Sequence, residues 1–154
     1  MKMSYAIIRN EKYTKDQMIK LAPHNERVKQ EYSNKNIDKT RTYQNYHLKK
    51  PLFTNYFKEF KKLKEENNLK GQLHKNSIYA CEMIITSDKH FFMSIGEKET
   101  KRYFQTAYDF VCNYKNLGEE NIISAVVHLD EETPHMHITY IPVVYLLNQQ
   151  QEYK

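Results

Sequence analysis

Three histidines fall close together late in this chain, in the run His128-Leu-Asp-Glu-Glu-Thr-Pro-His-Met-His137. Neutral imidazole nitrogens hold zinc, nickel, cobalt, copper or manganese, so the run reads as a metal site with His128, His135 and His137 as ligands. His135 and His137 are two apart, and alternate residues of a strand share a face. The flanking segments Ile122-Ile-Ser-Ala-Val-Val127 and Ile138-Thr-Tyr-Ile141 are dominated by β-branched residues, with the acidic stretch and Pro134 turning between them. Such a reversal brings His128 opposite the other two. Asp130 or Glu131 would fix a ligand's tautomer from behind, and Glu131, inside the ligand turn, is also placed to move a proton. Three protein ligands leave room for substrate. A structural zinc site would take a fourth, commonly a cysteine, and neither Cys81 nor Cys112 is near in sequence. Ordinary exposed loop histidines are the competing reading, better suited to one histidine than to three beside two acids.

The elements that must position these groups are readable from periodicity. A first strand is expected over Ser4–Arg9 and a helix from Thr14 to Leu21, with Thr14 and Asp16 at its start. Pro23 should interrupt it and open a new helix, placing His24 at an element boundary. Residues 33–46 are polar and irregular and read as a binding loop. Pro51 starts an amphipathic helix in which Phe53, Tyr56, Phe57, Phe60 and Leu63 recur at three and four, a core stripe, with lysines facing out. Ser77–Thr86 reads as a central strand. Glu97–Tyr114 reads as a helix ended by Gly118. The order predicts an α+β fold, an antiparallel β-sheet covered by helices on one face.

With 154 residues, 40% of them hydrophobic, one domain with one core is expected. No run is long enough for a membrane span, and the start has too short an apolar stretch for a secretory signal. Two cysteines in apolar segments read as reduced thiols, which predicts a cytoplasmic protein. The net charge of +5, with much of the lysine between Lys49 and Lys75, fits a polyanion partner, and aromatics among cations suit unpaired bases. A lysine-rich solvated face is the bland alternative.

A His24-Asn-Glu-Arg-Val28 element joined to the His128–His137 hairpin is recognisable as a combination. With Ser4-Tyr5 and Arg9, the loop Ser33-Asn-Lys-Asn-Ile-Asp-Lys39, Asn45-Tyr46 and the strand Ile84-Ile-Thr-Ser87, it resembles the Mob/Pre plasmid mobilisation and recombination proteins, relaxases of the MOBV type with a histidine-hydrophobe-histidine fold. The resemblance implies cleavage of one DNA strand at a plasmid transfer origin by transesterification, leaving the protein on the 5′ phosphate. It implies Mn2+ or Mg2+ as the metal, and single-stranded or supercoiled origin DNA as the partner. The family's pattern makes His24 the nucleophile, with Tyr46 the alternative. Arg9, Asn25, Arg27, Asn45 and Lys75 would contact the DNA, although Asn25 could instead orient His24. Relatives tend to carry arginine and lysine where this chain has His74-Lys75, which would weaken one phosphate contact. The family's domain continues past Ile141-Pro142, whereas this chain ends at Lys154, so residues 1–154 read as a relaxase domain shortened at its C-terminus. Two other functions compete: an inactive remnant that occupies an origin, and a metal-dependent hydrolase of small phosphoesters.

Overall fold

The computed structural model describes residues 3–29 and 31–144. Along them run β1 (Ile7–Tyr13), α1 (Lys15–Asn25), β2 (Tyr46–Lys49), α2 (Tyr56–Glu66), β3 (Ala80–Thr86), α3 (Lys89–Asn113), β4 (Ile122–His128) and β5 (His135–Tyr140). The strands form one antiparallel sheet in the order β1-β3-β5-β4-β2. The fold is α+β, with helices on an antiparallel sheet. No helix among the described residues is long and apolar enough to cross a membrane. Residues 145–154, which include the chain end read above as shortened, lie outside the described residues.

Helices cover both faces rather than one, and β4 and β5 show why. Alternate residues Met136, Ile138 and Tyr140 of β5 pack with Phe92, Phe104, Tyr108 and Val111 of α3. The opposite face packs Ile123 and Ala80 against Met18 and Ala22 of α1 and Tyr56, Phe60 and Leu63 of α2. All seven residues of β4 are buried, as befits a nearly unbroken apolar run lying between two layers. That second face also buries Glu82, Ser124, His128, His137 and Thr139. Its polar corner is the candidate site.

Pro23 does not begin a new helix. It lies in the last turn of α1, where it removes a single backbone hydrogen bond while Met18, Ala22 and Asn25 bury one side of the helix. The helix then closes with the Arg27 N–H donating to His24 O (3.3 Å) and the Val28 N–H to Pro23 O (3.2 Å). These are the two bonds of a Schellman ending, with Arg27 (φ 52°) at the left-handed position that glycine usually takes. β1 starts at Ile7 and runs on to Tyr13, later than the expected strand. The polar text ending at Tyr46 conceals the short strand β2, which pairs with β4.

The long helix α3 is two helices joined at Gly96, whose φ of 81° and ψ of 177° only glycine adopts readily. The segment after it matches the expected helix. The roughly two turns before it are capped by Asp88, whose side chain accepts from the Phe91 N–H. A Cβ at Gly96 would meet nothing within 4 Å, so a substitution there is opposed by backbone conformation alone. Gly96→Ala should therefore lower the unfolding free energy by about 1–3 kcal/mol, measured in urea. An unchanged midpoint would mean that this joint is not held in the glycine-only region.

Candidate metal centre

The β4–β5 register sets His128 directly opposite His135, and Val126 opposite His137. The three rings therefore gather on one face, with centroids 4.7 Å (His128–His137), 5.0 Å (His135–His137) and 5.2 Å (His128–His135) apart. Each ring has one nitrogen anchored. His128 Nε2 bonds Asn25 O at 2.7 Å, His135 Nδ1 bonds Thr133 O at 2.8 Å, and His137 Nδ1 bonds Glu82 Oε1 at 2.6 Å. Of the remaining nitrogens, His135 Nε2 lies 3.0 Å from Glu131 Oε2, while His128 Nδ1 and His137 Nε2 are buried with no hydrogen-bond partner among the described residues. A buried polar atom without a partner is costly, and two on rings only 4.7 Å apart are what a cation site could use. Burial, helped by His137 and Arg27, pushes the His128 imidazole down to about 2, which keeps the ring neutral, the form in which it could hold a metal.

The end of α1 completes the cluster. His24 has its ring 6.1 Å from that of His128 and 6.0 Å from that of His137. Donor atoms of His24, His128 and His137, and separately of His128, Glu131 and His135, lie within 4.8 Å of one another. Burial, then Arg27 and His137, lower the His24 pKa, which keeps its ring uncharged. The reversal at Arg27 throws the guanidinium across to the β4–β5 turn. Its Nε and Nη2 donate to Asp130 (both 3.0 Å), Nη2 also to Glu131 Oε2 (2.9 Å), and Nη1 to His24 O (2.7 Å). Burial opposes ionisation of Asp130 and Glu131. Arg27 and Thr42 on the first, and His135 and Arg27 on the second, outweigh it and hold each carboxyl at about 2.

Residues 2–150 match the Mob_Pre family, described as plasmid recombination enzyme. The chain is 38% identical over 141 residues to a plasmid recombination enzyme of Lactiplantibacillus plantarum, covering 91% of this chain and 38% of that protein. It is 39% identical over 142 residues to another from Streptococcus agalactiae, covering 91% and 28%. The chain belongs to the Mob_Pre family. It spans about a third of the length of these curated relatives. A solved MobM relaxase domain (MOBV; Mob_Pre), Mn-bound and holding plasmid pMV158 oriT DNA, matches with a TM-score of 0.82 at 36% identity, over 96% of this chain and 76% of that one. Another structure of the MobM relaxase domain, bound to 26-nucleotide pMV158 oriT DNA, gives 0.71 at 31% identity, over 97% and 76%.

Within this Mob_Pre chain the other expected site residues fall unevenly. Arg9 lies in the same cross-strand row as Ile84 and His137 and lines a hollow with His135, so it is beside the centre. Arg27 is 5% exposed and committed to Asp130 and Glu131, so it is a clamp rather than a DNA contact. Asn25 is 1% exposed and gives its amide to Glu82 at 3.1 Å, which favours the orienting role over contact with DNA. Asn45 accepts the Leu129 N–H at 2.7 Å and so holds the loop to the hairpin. Lys75 is exposed in the loop entering the Ala80 end of β3, whereas His135 pairs with Thr86 at the far end, six residues or roughly 20 Å along the strand. Tyr46 pairs with Val127 and packs into the α3 core, on the opposite face from the histidines, and burial raises its hydroxyl to about 12. It is not placed as a nucleophile. Glu131 is a tied, ionised carboxylate that also accepts from Asn34 (2.8 Å), which suits orienting His135 better than exchanging protons.

Sequence reading missed Glu82, which grips both His137 and Asn25, and Tyr32, whose ring stands edge-on to His24 at 6.3 Å. The signal for Glu82 was an acid inside the otherwise apolar strand Ala80–Thr86. Arg27→Ala would leave the fully buried Asp130 carboxylate without its cation, and should destabilise the fold by about 3–5 kcal/mol in urea unfolding. A loss in the range of about 0–1 kcal/mol would class the pair as an ordinary surface contact and remove the clamp from the account.

Proposed function

We propose that this chain is the relaxase domain of a plasmid mobilisation protein, which nicks one DNA strand at a transfer origin in the cytoplasm. The observation that carries this reading is the pair of buried, partnerless nitrogens, His128 Nδ1 and His137 Nε2, facing His24. His128, His137 and His135 would hold a divalent ion, and manganese agrees with the Mn-bound relative. When bound, that ion supplies positive charge at the scissile phosphate.

His24 is the nucleophile in this reading. A neutral ring nitrogen attacks phosphorus, an N–P bond forms, and the bond from phosphorus to the 3′ oxygen breaks. The ring loses its N–H proton as the departing 3′ oxygen gains one, so atoms and charge balance and no water enters. Arg27 fixes the His24 backbone, and its charge helps keep the ring unprotonated. Glu82 presents His137 with its Nδ1 occupied, leaving Nε2 towards the centre. Arg9, exposed and in the row of His137, is the cation placed to meet the DNA backbone.

The test is a covalent adduct. The protein is incubated with Mn2+ and single-stranded pMV158 oriT oligonucleotide or supercoiled plasmid carrying that origin, then denatured. The wild type and Tyr46→Phe should each yield a denaturant-stable protein–DNA species, and His24→Ala should yield less than about 1% of it, on the scale of losing an essential catalytic group. An adduct that survives in His24→Ala and vanishes in Tyr46→Phe would reverse the assignment. DNA binding without any adduct from the wild type would leave a binding remnant.

A further inference from the structure

A cleft of about 930 Å3 opens on the α3 side of the sheet, between the turn Lys39–Gln44, the break in α3 and the β4–β5 turn. Its volume lies within the roughly 300–1,000 Å3 of small-molecule sites. Glu131 lines it and also belongs to the donor cluster of the metal centre, so the two spaces adjoin. Gly96 shapes one wall: the chain steps aside there without a side chain.

The lining has an unusual composition for solvent. Tyr43 is 81% exposed and Met93 72% exposed at its edge, both flat or pliable apolar groups left without cover. On the inner wall is Tyr46, with Lys101 Nζ 6.0 Å from its ring centroid. The Tyr46 hydroxyl oxygen is buried and has no hydrogen-bond partner among the described residues. The acids on the rim are matched by cations, Glu97 with Lys101 at 3.6 Å and Glu132 with Lys89 at 3.7 Å. A balanced rim and apolar walls suit an unpaired nucleobase better than a phosphate.

We propose that this cleft receives one unpaired base of the bound strand, stacked against Tyr43 and Met93 at its edge. The inference rests on the relaxase reading and adds a specificity site to it, on the face of the sheet opposite the histidines.

The experiment uses single-stranded pMV158 oriT oligonucleotides in which each nucleotide near the cleavage position is replaced in turn by an abasic residue. Binding is followed by fluorescence anisotropy in Mn2+ with wild type, Met93→Ala and Tyr46→Phe. In the wild type, one position should lose roughly tenfold in affinity when its base is removed, the size of one stacked base. In Met93→Ala that penalty should shrink to about twofold or less at the same position and stay unchanged elsewhere. Tyr46→Phe, which removes only a buried hydroxyl, should keep the wild-type penalty at that position and still form the covalent adduct. Equal abasic penalties in all three proteins, with wild-type binding intact, would overturn the cleft while leaving the relaxase reading standing. Failure of the wild type to bind the intact oligonucleotide would overturn both.

Discussion

The Arg27 guanidinium, buried between Asp130 and Glu131, is the contact that makes a site out of two distant pieces of chain. Left-handed backbone at a non-glycine residue costs on the order of 1–2 kcal/mol. Charged hydrogen bonds of about 1.5–3 kcal/mol each are enough to hold it there. Desolvation offsets much of a buried ion pair, so its contribution is position more than net stability. The end of α1 is pinned to the β4–β5 turn, and His24 consequently faces His128 and His137. The 33–45 loop joins the same turn, with the Asp38 N–H on Asp130 O, Thr42 Oγ1 on Asp130 Oδ2 and Asn34 Nδ2 on Glu131 Oε1. One acidic turn thus collects two segments, the end of α1 and the 33–45 loop.

Next to this turn, the buried Glu26 carboxylate performs a similar task for packing. It accepts from Tyr56 Oη at 3.0 Å and Ser124 Oγ at 2.7 Å and lies 2.6 Å from His47 Nε2, tying the residue after α1 to α2, β4 and β2. Glu82 ties the same helix end to β5. A sheet face that buries this many polar groups needs partners for them, and Glu26 and Glu82 supply many of these through pairs bridging separate elements. His128 Nδ1 and His137 Nε2 share the lack of a partner with Asn25 Oδ1 and Thr139 Oγ1 nearby, and as imidazole nitrogens they are the pair suited to a divalent ion.

The hairpin was legible because its information is local. Two histidines at a spacing of two and a proline turn after an apolar run fix face and reversal without reference to anything distant. His24 was legible as a position by family likeness, while its helix was misread: Pro23 breaks helices by a local rule, and burial of Met18, Ala22 and Asn25 overrides that rule in a last turn. Tyr46 was misplaced for a different reason. The face of a four-residue edge strand is set by its partner Val127, far along the chain, and a polar loop sequence carries no trace of that register. Arg27 read as a phosphate contact because its acid partners lie about a hundred residues away. Glu82 shows what the sequence did hold unread, since a carboxylate within an apolar strand has to be answered by something buried beside it.

The central claim is that one divalent ion sits where the two partnerless imidazole nitrogens point. Crystals of the protein soaked in Mn2+ and measured at a wavelength where manganese scatters anomalously test it directly. The account predicts one strong anomalous peak within coordination distance of His128 Nδ1, His137 Nε2 and His135 Nε2. An empty cluster in a fully soaked crystal, or a peak held by other side chains, would contradict it.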